Sequence, residues 1–100
     1  MDHWERHLVR IVVYTKPHGP NGEITCQQCE MTKRKLEARG LEFVEKDIYE
    51  HIGFVKDTLG LTSAPVVVVM KEIPPAHSEP VILESWAGFR PDKIDEIALA

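Results

Sequence analysis

Cys26 and Cys29 are the only two cysteines in this chain of 100 residues, and they stand three positions apart. A thiol pair at that spacing can carry electrons by opening and closing a disulfide, or it can offer two ligands to a metal ion. As a structural staple it would do little, because so small a loop removes almost no entropy from the unfolded chain. Redox exchange has a clear local logic. The pair follows a first strand and its loop and opens a helix, where unpaired backbone N–H groups and the positive end of the dipole favour a thiolate. Such a position lowers a thiol pKa from about 8.5 into roughly the 3.5–7.5 range. Cys26 is then the nucleophile that forms a mixed disulfide with substrate, and Cys29, one turn deeper, releases the reduced product by closing the internal disulfide. Cβ atoms at i and i+3 of a regular helix lie about 5–6 Å apart, whereas a disulfide needs about 3.5–4.5 Å. A helix start can supply that adjustment. For tetrahedral zinc, His18, His3, His7, His51 or His77 would have to complete the ligand set, since a second Cys-x-x-Cys is missing.

The elements that must position the pair follow from periodicity. Leu8 to Thr15 is β-branched and aromatic, and Val66 to Met70 is apolar at every position, so both read as strands buried on both faces. Leu41 to Ile48, with Leu41 and Phe43 on one face, and Val81 to Leu83 read as edge strands. One helix is predicted from Cys26 to Arg39, stopped by Gly40, and a second from Tyr49 to Leu59, stopped by Gly60 and weakened by Gly53. A third starts at Pro91, with Ile94, Ile97 and Ala98 on one face. The order β-α-β-α-β-β-α makes an α/β fold, a four-stranded mixed sheet flanked by three helices. Its opening strand–helix–strand is a parallel crossover, and the proline-containing stretch Lys71 to Pro80 returns the chain antiparallel.

Composition sets the outer bounds. Hydrophobic residues make up 43% and charged residues 28%, which with this length predicts a single domain over residues 1–100. The longest apolar run, Ala64 to Met70, is too short for a membrane helix, and the charged start Met1 to His7 lacks a secretory apolar stretch. A reducing cytoplasmic setting is expected. The net charge of −4 argues against nucleic-acid binding, and the glycines form no nucleotide-cradling pattern. Pro65, directly before a buried strand, donates no ladder hydrogen bond, and from these residues alone a trans peptide bond is the expectation.

Four blocks carry a family resemblance. They are Val13-Tyr14-Thr15-Lys16-Pro17; Cys26-x-x-Cys29-x-x-Thr32-Lys33-Arg34-x-Leu36; Leu59-Gly60 followed by Ala64-Pro65-Val66-Val67-Val68; and Trp86-Ala87-Gly88-Phe89-Arg90-Pro91-Asp92-Lys93-Ile94. Together they resemble the glutaredoxin-like NrdH-redoxins of the thioredoxin-fold superfamily. The last block is the most specific, since glutathione-using glutaredoxins carry a Gly-Gly turn followed by acidic residues there. The resemblance implies a thioredoxin/glutaredoxin fold and a monomeric dithiol–disulfide oxidoreductase with no bound cofactor or metal. It implies electron delivery to the large subunit of a class Ib ribonucleotide reductase, with re-reduction by thioredoxin reductase and NADPH. In its terms Cys26 is the nucleophile, Cys29 the resolving thiol and Pro65 a cis-proline facing them. Ala64 offers backbone groups to substrate, Lys16 lies near the thiolate, and Gln27, Gln28, Trp86 and Phe89 contact the partner. A glutathione-dependent dithiol glutaredoxin and a cysteine-ligated metal module are the alternatives.

Two features depart from the family pattern. An extended loop, residues 17–25, precedes the cysteine pair; it reads as a surface insertion, the alternative being a flap over Cys26. Glu30, just after Cys29, would oppose thiolate formation electrostatically. Lys33, Arg34, Lys35 and Arg39 form either a solvated helix face or a surface that steers an acidic partner. Trp86 and Phe89 are either core or a binding patch, and Trp4 carries no assignment.

Overall fold

The computed structural model describes residues 9–71 and 81–99. Leu8, Trp4, His3, His7 and His77, and the whole return segment after Lys71, lie outside them. Strands β1 (Val9–Thr15), β2 (Val44–Asp47), β3 (Val66–Lys71) and β4 (Val81–Ala87) form one sheet in the order β2-β1-β3-β4. β1 pairs parallel with β2, while β3 runs antiparallel to both β1 and β4. The sheet is therefore mixed, with the two most apolar strands at its centre and the two more polar ones at its edges.

Strand periodicity divides the centre between two cores. Ile11, Val13, Val67, Val69 and Trp86 face one way and pack with Leu36 and Ile94. Val12, Tyr14, Val66 and Val68 face the other way and pack with Ile48 and Val55. Adjacent residues of one strand point to opposite faces, so an unbroken run of valines serves both layers.

The first face is covered by helix α1 (Gln27–Ala38) and by helix α2 (Pro91–Leu99), which contribute Leu36 and Ile94. α1 ends in a Schellman arrangement: Gly40, at φ +70°, donates to the Glu37 carbonyl at 3.0 Å, and Leu41 donates to that of Leu36 at 2.9 Å. The opposite face is covered by a stretch that is helical but not a regular α-helix. It opens as a 3₁₀ turn, Ile48–His51, and continues as a π turn, Phe54–Thr58. Asp47 caps its start by accepting the Tyr49 N–H at 2.8 Å, and Gly53 sits at the junction of the two turns. The sequence placed a helix there for its apolar face. Gly53 and the early cap at Asp47 explain why the hydrogen-bond ladder is irregular.

Both edge strands differ in length from expectation. β2 begins only at Val44, because Leu41 and Phe43 turn into the first core ahead of the strand. β4 runs on through Glu84, Ser85 and Trp86 to Ala87, with a register shift against β3 between Val69 and Met70. Polar Glu84 and Ser85 obscured this continuation, and an edge strand tolerates them.

Candidate functional site

The C-terminal end of β1 delivers the chain into the 17–25 loop, which is closed by its own hydrogen bonds. Thr25 Oγ1 donates to the Pro17 carbonyl at 2.8 Å, the Gly19 N–H to the Glu23 carbonyl at 2.9 Å and the Gly22 N–H to the Gly19 carbonyl at 2.9 Å. Gly22 takes φ +80°, a conformation that favours glycine.

Cys26 follows as the N-cap of α1, with extended backbone at φ −144° and ψ 98°. Cys26 and Cys29 form a disulfide with Cα atoms 5.3 Å apart. Because Cys26 lies outside the helical dihedrals, its side chain turns back over the first turn, and its Sγ accepts the Cys29 N–H at 3.2 Å. This is the adjustment that a regular i, i+3 pair lacks. Access differs across the pair: Cys26 is half-buried, whereas Cys29 is 0% exposed.

Two further segments connect to the cysteine segment through hydrogen bonds. The Ala64–Pro65 peptide bond is cis, as the resemblance implied and against the expectation from general proline preferences. Pro65 is buried, Ala64 half-buried, and the Pro65 carbonyl accepts the Gly88 N–H at 2.8 Å. Gln28, between the cysteines, accepts the Phe89 N–H on its Oε1 at 3.0 Å. Gly88, between those two bonds, has φ +86°. The cysteine segment, Pro65 and the Gly88–Phe89 turn are thereby joined through hydrogen bonds between residues far apart in sequence.

The remaining candidates fall elsewhere. Trp86 is 4% exposed and belongs to the first core, with its indole N–H buried and lacking a partner among the described residues. Its burial leaves little ring surface for another molecule, and Phe89, half-buried against the same core, is the aromatic with exposed area. The side chains of Lys16 and Gln27 are exposed and make no hydrogen bond or ion pair among the described residues. Ile24, 42% exposed two residues before Cys26, adds apolar surface that sequence reasoning passed over because it lies inside the polar loop.

A charge network runs behind the cysteines. Lys33 Nζ stands 2.9 Å from Glu30 and 3.1 Å from Glu45, and Thr15 Oγ1 donates to Glu45 at 2.7 Å. His18 Nε2 lies 3.5 Å from Glu30. The hydrogen bond from Lys33, with a smaller contribution from His18, holds the Glu30 carboxyl below its ordinary pKa against the opposing effect of burial. Burial works against the Lys33 ammonium, yet its bonds to Glu30 and Glu45 outweigh that and raise its pKa. Glu30 therefore carries its own counter-charge, which weakens its expected opposition to a thiolate at Cys26. The basic face is also largely engaged: Lys35 and Arg39 both pair with Asp95, at 3.3 and 3.5 Å. Among the described residues no group of three or more His, Cys, Asp or Glu is placed to hold a metal ion, and no helix is long and apolar enough to cross a membrane.

Comparison with known proteins gives a consistent set of likenesses. The sequence pattern of the family described as Glutaredoxin matches residues 11–73. The chain is 32% identical over 89 residues to the glutaredoxin-like protein NrdH of Salmonella typhimurium, covering 87% of this chain and 86% of that one. It is 32% identical over 90 residues to the Gene 56 protein of Mycobacterium phage L5, covering 87% of this chain and 70% of the phage protein. Among solved structures, the NrdH-redoxin of Escherichia coli superposes with a TM-score of 0.61 at 29% identity, covering 88% of this chain and 93% of that one. Trichomonas vaginalis thioredoxin superposes with a TM-score of 0.62 at 17% identity, covering 96% and 83% of the two chains, and so shares the fold.

Proposed function

This chain belongs to the glutaredoxin family, as an NrdH-like thiol–disulfide oxidoreductase, and from that premise we propose that it is a dithiol electron donor to a class Ib ribonucleotide reductase. The observation that carries the division of labour is the unequal access of the two sulfurs, Cys26 half-buried and Cys29 fully buried.

A substrate disulfide can reach only the Cys26 sulfur. As a thiolate, Cys26 attacks one substrate sulfur and displaces the other as a thiolate, which takes up a proton. The Cys29 N–H that already points at Cys26 Sγ would strengthen as a donor to a charged sulfur, and the start of α1 adds its dipole. Cys29 then loses its proton and attacks Cys26 Sγ. The mixed disulfide breaks, the second substrate sulfur leaves as a thiol, and the internal disulfide closes. Two protein thiols are oxidised as one substrate disulfide is reduced to two thiols, and the product state is the disulfide seen here.

Substrate contacts are assigned to exposed Gln27 and Lys16, half-buried Phe89 and the backbone of Ala64 at the cis-Pro65 bond, with buried Trp86 in the core against which Phe89 packs. The partner reading rests on Trp86 to Pro91, where Arg90 and Pro91 stand in place of the acidic residues of glutathione-using relatives. Arg90 is paired with Asp92 at 2.9 Å, which fixes the start of α2 beside the turn. The donor acts as a cytoplasmic monomer without a bound cofactor, and its electrons come from NADPH through thioredoxin reductase.

The test is the choice of reductant. With NADPH and thioredoxin reductase the protein should reduce a protein disulfide catalytically, and the large subunit of a class Ib ribonucleotide reductase should turn over with it as sole donor. Turnover only with glutathione and glutathione reductase would assign it instead as a glutathione-dependent glutaredoxin.

A further inference from the structure

Gln28 lies inside the ring that the disulfide closes, yet its side chain is bonded to a residue 61 positions away. Its Oε1 accepts the Phe89 N–H at 3.0 Å, and a Cβ added to Gly88 would lie 3.2 Å from the same oxygen. Gly88 donates its own N–H to Pro65 at 2.8 Å. Two consecutive backbone donors of one turn are thus taken up by the cis-proline segment and by the cysteine segment. Gln27, its neighbour in the same ring, has no such bond among the described residues.

We propose that Gln28 is a positioning residue: its carboxamide oxygen seats the Gly88–Phe89 turn against the thiol pair and so sets where Phe89 meets an incoming protein disulfide. This replaces a role for Gln28 as a substrate contact, and it rests on the reading that Phe89 belongs to the docking surface.

The physical case has three parts. The hydrogen bond is exposed, so water can replace it at little cost in folding stability, and what it contributes is geometry. The bond needs an acceptor on a side chain of this length, and Gly88 supplies both the positive φ and the absence of a Cβ that would crowd Oε1. Last, a small disulfide needs only the Cys26 sulfur, whereas a protein disulfide brings flanking chain that must also fit the turn. Loss of the bond therefore weighs on protein substrates more than on small ones.

The test compares Gln28→Met, which keeps length and removes the acceptor, with Gln28→Glu, which keeps an acceptor oxygen. In Gln28→Met the Phe89 amide should exchange with solvent several-fold faster. Its kcat/KM for a protein disulfide, divided by that for 2-hydroxyethyl disulfide, should fall about tenfold, the factor worth roughly one net hydrogen bond. Gln28→Glu should restore both. An unchanged Phe89 exchange rate, or an unchanged ratio, overturns the proposal. Phe89→Ala separates the two readings: if it lowers the ratio and Gln28→Met does not, positioning by Gln28 fails alone, and if neither lowers it, the docking role of Phe89 fails with it.

Discussion

The Cys29 N–H reaches the Cys26 sulfur at 3.2 Å, and the residue that donates it is itself 0% exposed. The first sulfur is served by the helix start and the second is sheltered beneath it. Cys29→Ser should therefore accumulate a mixed disulfide between Cys26 and its substrate, visible as a mass increase that a reductant removes. Cys26→Ser should form none, because its remaining thiol cannot be approached. A stable adduct on Cys29 in the Cys26→Ser protein would reverse the roles.

Much of this arrangement was legible in the sequence, for identifiable reasons. The central strands were visible because burial on both faces leaves few polar positions, but their register, Val13 against Val67 and Val12 against Val68, was not, since a strand apolar on both faces can slip without exposing a polar one. The cysteine pair was visible by spacing alone. Less legible was anything that depends on a side chain meeting distant backbone. Gln28 looks like an exposed linker until the Phe89 N–H is placed beside it. Lys33 looks like free charge until Glu30 and Glu45 close around it. The irregular helical stretch was half legible: Gly53 signalled a weak interior, but only the fold shows the ladder passing from a 3₁₀ turn to a π turn.

Acid should weaken the network behind the cysteines. Glu30 has its folded pKa held below its ordinary value of 4.5, chiefly by the Lys33 hydrogen bond. A lowered folded pKa contributes stability that is complete above the unfolded value and is lost as pH falls through the folded one. In chemical denaturation, Glu30→Gln should differ most from the parent at neutral pH, and the two should converge as pH drops below 4.5. A difference that grows on acidification would contradict the pairing. Because the group is close to the surface, high salt should also shrink the difference.

Two residues of α1 separate packing from polarity. Leu36 is 0% exposed in the first core, and Leu36→Ala should cost about 2–5 kcal/mol, read from the denaturation midpoint. Thr32 is also 0% exposed, but its hydroxyl has no hydrogen-bond partner among the described residues. Thr32→Val keeps the shape and removes the unpaired group, so it should be neutral or stabilising by about 1 kcal/mol. A loss of more than about 1 kcal/mol would mean that the hydroxyl is bonded in solution.

The 17–25 loop gives the last prediction. Its hydrogen bonds are internal, from Thr25 to Pro17 and between Gly19, Gly22 and Glu23, and among the described residues its side-chain tie to the helix is the approach of His18 to Glu30 at 3.5 Å. Chain that closes on itself in this way is a tolerated surface excursion, and the entropy of closure changes slowly with loop length. Replacing residues 19–23 by a two-residue turn should therefore shift stability by less than about 1 kcal/mol. Turnover with a small disulfide depends on Cys26, which the loop's internal bonds leave half-buried, and should persist. Turnover with a protein disulfide distinguishes the two roles open to the loop. Equal kinetics in the shortened and parent proteins would identify a passive insertion, while a selective rise in KM for the protein substrate would show that Ile24 and its neighbours contact the partner.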